Sequence, residues 1–142
     1  MPQIKNILLV DDDEITNFIN SDLIKALGIA EEVTVVDDGK EALDYLGKAY
    51  STDTSINEDG KYIIPEFIFL DINMPNMDGF SFLDNYHERF GEGDQKATII
   101  MLTTSFIKEE VSKALRMNHL VKGYIEKPLT AEIILEICGK RP

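Results

Sequence analysis

Phe67-Ile68-Phe69-Leu70-Asp71-Ile72-Asn73-Met74-Pro75 sets four large apolar residues directly against a carboxylate and a turn. A run of that length without in/out alternation suits a strand covered on both faces, as in a parallel sheet. Working outward, Ile7-Leu8-Leu9-Val10, Val33-Thr34-Val35-Val36 and Ile99-Ile100-Met101-Leu102 have the same character, and Gly123-Tyr124-Ile125 is a weaker fifth strand. Amphipathic stretches alternate with them. Ile15, Phe18, Ile19, Leu23, Ala26 and Leu27 form a stripe ending at Gly28, read as a cap. Ala42, Leu43 and Leu46 form a second. Phe80, Leu83, Tyr86 or His87, and Phe90 form a third. Ile107, Val111, Ala114 and Leu115 give a fourth, and Ile133, Ile134 and Ile137 a last. Five strands alternating with five helices predict a doubly wound α/β sheet.

The 142 residues fit one domain, taken as 1–142, with a flexible polar insertion at about 50–62 between the second helix and the third strand. At 44% apolar residues the chain can build a core without disulfides. Cys138 has no partner and reads as a small buried hydrophobe. The net charge of −12 argues against nucleic acid and against anionic membranes, which need clustered Lys and Arg. The N-terminus does not read as a signal peptide, and no stretch approaches the roughly 20 apolar residues of a membrane-spanning helix. A soluble, cytoplasmic protein is expected.

In an open parallel sheet, ligands bind beyond the carboxyl ends of the strands. Asp11, Asp12 and Asp13 follow the first strand, Asp71 and Asn73 the third, Thr103, Thr104 and Ser105 the fourth, and Glu126, Lys127 and Pro128 the fifth. Singly, each is an ordinary cap or turn residue. Together they are not. Carboxylates about 4–5 Å apart repel by roughly 4 kcal/mol at an effective dielectric near 20. They stay ionised together only beside compensating cations. An all-oxygen site suits Mg²⁺, and Lys127 supplies a second positive charge. An aspartate in that setting can act as a nucleophile toward phosphorus, with metal, Lys and hydroxyl offsetting the charge on the transferring group. The histidines, His87 and His119, read as surface or boundary residues. Gly91-Glu92-Gly93-Asp94 follows a helix and carries two acids, so it is a turn and no phosphate cradle.

Leu8-Leu9-Val10-Asp11-Asp12-Asp13, Leu70-Asp71-Ile72-Asn73-Met74-Pro75 with Asp78-Gly79, Leu102-Thr103-Thr104-Ser105 and Lys127-Pro128 resemble, in this order, the receiver domain of two-component response regulators. The likeness runs from Ile4 to about Cys138. It implies a CheY-like, stand-alone receiver with the flavodoxin-like strand order 2-1-3-4-5. It implies Asp71 as phosphoacceptor and metal ligand, Asp12 as direct Mg²⁺ ligand, Asp11 assisting through water, and the backbone carbonyl of Asn73 on the metal. Thr103 would bond the phosphate, Lys127 would pair with it, the Lys127–Pro128 peptide would be cis, and Tyr124 would change rotamer as Thr103 moves. Asp13 is left to cap the first helix. Asn73 and Ser105 take the positions that tune dephosphorylation.

The resemblance further implies a signalling switch in a phosphorelay rather than an enzyme, loaded by a sensor histidine kinase or a histidine phosphotransfer protein and read by a downstream protein target. The effector domain common in such regulators is not seen before Pro142. Two other readings stay open. Ile7 to Asp13 also resembles the opening of haloacid dehalogenase-type phosphatases, with Asp11 as nucleophile, although Ile15 departs from that pattern and Asp71 and Lys127 are left unexplained. A degenerate receiver that only binds partners is the other.

Overall fold

The computed structural model describes residues 4–53, 55–72, 74, 77–91, 97–103 and 120–139. Its elements are β1 (Ile4–Val10), α1 (Glu14–Leu27), β2 (Ala30–Val36), α2 (Gly39–Ala49), β3 (Phe67–Asp71), α3 (Gly79–Phe90), β4 (Thr98–Thr103), β5 (Val121–Glu126) and α4 (Ala131–Gly139). The strands form one five-stranded sheet in the order β2-β1-β3-β4-β5, with every neighbouring pair parallel. This is the doubly wound arrangement the apolar runs predict. The fourth predicted helix, with Ile107, Val111, Ala114 and Leu115, falls outside the described residues, as does His119.

The continuous apolar runs feed two cores, one on each face of the sheet. Leu8, Val10, Ile68, Leu70, Ile99 and Met101 pack on α2 and α3 through Leu43, Leu46, Phe82 and Leu83. Their alternates Ile7, Leu9, Phe67, Phe69, Ile100 and Leu102 pack on Ile24 of α1 and on Ile134 and Cys138 of α4. Period-2 alternation is thus present, but both faces are apolar because both are covered. Only the outer strands depart from this: β2 and β5 are largely half-buried or exposed.

Three of the four helix starts among the described residues are fixed by Asp side chains, those of α1, α2 and α3. Asp13, Asp38 and Asp78 accept from the backbone N–H of Ile15, Glu41 and Ser81, relieving donors that the first turn leaves unpaired. Gly28 closes α1 at φ 64°, a left-handed conformation that glycine adopts without a Cβ penalty.

The α1 stripe is split: Leu23 and Leu27 pack against the core, as the periodicity predicts, but its first half does not. Ile15, Phe18 and Ile19 are 70%, 73% and 55% exposed, while Asn17, Asn20, Ser21 and Ile24 are buried. On α3, Phe82 and Tyr86 are buried, whereas His87 is exposed.

The stretch read as a flexible insertion is bracketed by hydrogen bonds. The Asn57 amide clamps Tyr62, donating to its carbonyl at 2.7 Å and accepting from its N–H at 2.9 Å. Next to it, the buried Asn6 of β1 donates to the Tyr45 hydroxyl and to the Ile63 carbonyl and accepts from the Thr34 hydroxyl. The Tyr45 hydroxyl also donates to the Ile63 carbonyl and accepts from the Ile63 N–H. This network ties the exit of the insertion to the amino end of β1, opposite the end that carries Asp11.

Candidate functional site

The switch in strand order, where the chain leaves β1 for β2 on one side and β3 lies on the other, opens a crevice at the carboxyl edge of the sheet. Asp11 follows the last residue of β1 and Asp71 is the last residue of β3; both strands are central and their ends are enclosed. Asp11 is 2% exposed and Asp71 3%, whereas Asp12 is exposed. One carboxylate oxygen from each of Asp11, Asp12 and Asp71 lies within 4.8 Å of the others.

Lys127, just past β5, reaches across this cluster. Its Nζ donates to Asp11 Oδ2 at 2.8 Å and lies 3.3 Å from Asp71 Oδ1. The Lys127 backbone N–H donates to the Thr103 carbonyl at 2.7 Å, which fixes where the side chain starts. The Lys127–Pro128 peptide is cis. Burial works against charging this amine. The Asp11 hydrogen bond and the charges of Asp71 and Asp11 outweigh it, so the Lys127 pKa lies above the ordinary amine value.

The acidic turn is built from its own backbone. Asp11 N–H donates to the Val36 carbonyl, Asp11 Oδ1 accepts from the Asp13 N–H at 2.9 Å, and the Asp11 carbonyl accepts from Asn17 Nδ2 at 2.7 Å. Asp13 points away to α1, where the Thr16 hydroxyl and then the Ile15 and Thr16 N–H groups hold its carboxyl below the usual range. On the other side, Ile72 N–H donates to the Leu102 carbonyl, and Gly79 N–H donates to the Ile72 carbonyl. A Cβ at Gly79 would stand 2.5 Å from Met101 Cε and 3.1 Å from Ile72 Cα, so a side chain there would crowd both Met101 and the backbone of the residue after Asp71.

Thr103 ends β4, buried, one residue beyond the Asp71–Leu102 register pair. Tyr124 pairs with Met101 and is half-buried against the α2–α3 core. The fold therefore gathers Asp11, Asp12, Asp71 and Lys127 directly and sets Thr103 at the adjacent strand end. Asn73, Thr104 and Ser105 lie outside the described residues. Asn17 gives no signal of its own in the sequence, where it is an asparagine inside an apolar helical pattern. Its position six residues after Asp11 is legible only once the helix is oriented.

Three oxygen donors and one ammonium are a fit for a small hard cation and for a phosphoryl group. The carboxylates are the ligand type that Mg²⁺ takes, and Asp12 keeps the cluster open to water. No helix among the described residues is long and apolar enough to cross a membrane.

Comparison with known proteins gives the same picture. Residues 7–138 match the family model of the response regulator receiver domain. Chemotaxis protein CheY-3 of Vibrio cholerae is 32% identical over 134 residues, covering 94% of this chain and 88% of that protein. The crystal structure of a two-component response regulator from Cytophaga hutchinsonii superposes with a TM-score of 0.81 at 29% identity, over 96% of both chains. The receiver domain of the histidine kinase CKI1 from Arabidopsis thaliana, solved as a complex with Mg²⁺ and BeF₃⁻, superposes with a TM-score of 0.76 at 25% identity, over 96% of this chain and 91% of that one.

Proposed function

The chain belongs to the response regulator receiver domain family, and on that premise we propose that it is a phosphorylation switch whose phosphoacceptor is Asp71. The observation that carries this reading is the meeting of Asp11, Asp12 and Asp71 within 4.8 Å under the Lys127 ammonium. An Asp71 carboxylate oxygen attacks the phosphorus of a phosphohistidine. The new P–O bond forms as the P–N bond breaks, and the imidazole leaves with its electron pair. Asp12, Asp11 and Asp71, with the Asn73 carbonyl, would hold Mg²⁺, which would supply positive charge against the phosphoryl oxygens. Lys127 pairs with the same group, and Thr103 donates its hydroxyl to it.

Asp71 is favoured over Asp11 as nucleophile. Both Asp11 oxygens are engaged, one by the Asp13 N–H and the other by Lys127. What weighs against the phosphatase reading is the receiver family match over residues 7–138, together with the Asp71–Lys127 pair that the phosphatase reading leaves unexplained. The complete set of acid, hydroxyl and amine likewise weighs against a receiver that only binds.

Loading would pull Thr103 and Lys127 toward the phosphoryl group and let Tyr124 turn inward, reshaping the β4–β5 face for a downstream protein target. The donor is a sensor histidine kinase or a histidine phosphotransfer protein in the cytoplasm. Ile15, Phe18 and Ile19, exposed on the helix that starts beside Asp12, supply an apolar surface for that protein to rest on.

The test is incubation with Mg²⁺ and a small phosphodonor, followed by mass spectrometry. One phosphoryl group should appear on wild type and none on Asp71→Asn. Phosphate mapped to Asp11, or undiminished in Asp71→Asn, overturns the reading.

A further inference from the structure

Asn17 is 4% exposed, and its two amide atoms are treated unequally. Nδ2 donates to the Asp11 main-chain oxygen at 2.7 Å, while Oδ1 is enclosed with no hydrogen-bond partner among the described residues. Exchanging the amide oxygen and nitrogen would press two acceptors together, so Asp11 fixes the orientation. A buried acceptor left unpaired is a cost to the fold, and an apolar side chain of the same shape would avoid it. The fold bears that cost at the position that supplies a donor to the Asp11 carbonyl.

That carbonyl belongs to the peptide unit joining Asp11 to Asp12. Its tilt sets the direction of the Asp12 Cα–Cβ bond, and so the position of the Asp12 carboxylate relative to Asp71. The Asp11 carboxylate has anchors of its own in Asp13 N–H and Lys127 Nζ. The exposed Asp12 depends more on the peptide that carries it.

We propose that Asn17 is a positioning residue for metal binding: its amide fixes the Asp11–Asp12 peptide plane so that Asp12 stays beside Asp71. The inference rests on reading the acidic cluster as a Mg²⁺ site. Groups one layer behind metal ligands commonly govern affinity by a factor of about 10–100 when removed.

The test uses the full chain and Asn17→Leu, which removes the donor and the unpaired acceptor together while filling the same space. Mg²⁺ binding is measured by titration calorimetry, and thermal unfolding is followed in EDTA. The expected result is a Mg²⁺ Kd raised about tenfold or more, with a metal-free Tm close to that of wild type. A residue that merely supports the fold would lower Tm and leave Kd alone. A Kd raised by less than about threefold, well short of the usual second-layer effect, overturns the inference. Should Asn17→Leu not fold, Asn17→Ala is read by the same criterion. Wild type failing to bind Mg²⁺ would overturn the metal-site reading itself, so the two failures are told apart.

Discussion

Replacing Asp71 with asparagine is expected to stabilise the metal-free protein and to remove most of its response to Mg²⁺. Asp71 is 3% exposed, so its ionised form carries a desolvation cost, typically several kcal/mol per ion (on the order of 3–5). The Asp11 carboxylate, within 4.8 Å, repels it by about 3.5 kcal/mol at an effective dielectric of about 20. Exposed Asp12 acts through nearly bulk water and adds about 1 kcal/mol. Against these, Lys127 Nζ at 3.3 Å attracts it by about 5 kcal/mol at the same dielectric. The charge–charge effects almost cancel, and desolvation decides the sign. Polar contacts that the substituted amide would keep offset part of it, leaving a gain of about 1–2 kcal/mol, or a Tm rise of about 2–8 °C for a chain of this size. Thermal unfolding in EDTA measures this directly. In Mg²⁺ the order reverses, because wild type gains about 2.7 kcal/mol at a hundredfold excess over Kd and the variant gains much less. A Tm for Asp71→Asn at or below that of wild type in EDTA refutes the electrostatic account.

Lys127 gives a pH prediction. Its folded pKa is raised, so the stability it contributes is complete below the unfolded amine value and fades as pH climbs through the folded one. The stability gap between wild type and Lys127→Met should hold from about pH 7 to 10 and shrink above about pH 10.5; a gap already gone near neutrality contradicts the pairing with Asp11 and Asp71. Tyr45→Phe should cost about 1–3 kcal/mol, because the hydroxyl serves Asn6 and both backbone groups of Ile63. Denaturant unfolding checks this, and faster proteolysis within 51–62 should accompany it. Gly79→Ala forces a methyl against Met101 and the Ile72 backbone, and chemical denaturation should show a loss of about 1–3 kcal/mol. Equal stability would mean that α3 can back away from Asp71 freely.

The sheet was legible because central parallel strands leave a plain mark: apolar on both faces, ending in a residue that cannot be apolar. Val10–Asp11 and Leu70–Asp71 carry that mark and locate the site as well as the fold. The outer strands blur it, and β5 extends beyond the apolar core of Gly123-Tyr124-Ile125, from Val121 to Glu126, with mostly half-buried side chains. Helix α1 misled for a different reason. Two stripes with helical spacing coexist on it, Ile15-Phe18-Ile19 and Asn17-Asn20-Ser21-Ile24, and periodicity alone does not say which faces inward. A backbone carbonyl at Asp11 needing a donor helps orient the helix, and that demand is invisible until the strand end is placed. Tyr86 rather than His87 lines the α3 core, and Phe82 joins it, one position off the stripe read from the sequence.

The bracing of residues 57–63 against Asn6 also says where this molecule tolerates change. Asn6 and Asp11 stand five residues apart on one extended strand, roughly 16 Å at the usual rise. A dye, an affinity tag or a tethered second protein attached at exposed Ser55 or Glu58 would hang from the base of the sheet. It would report on the protein's whereabouts while leaving the rim that carries Asp11 and Asp71 clear for its visitors.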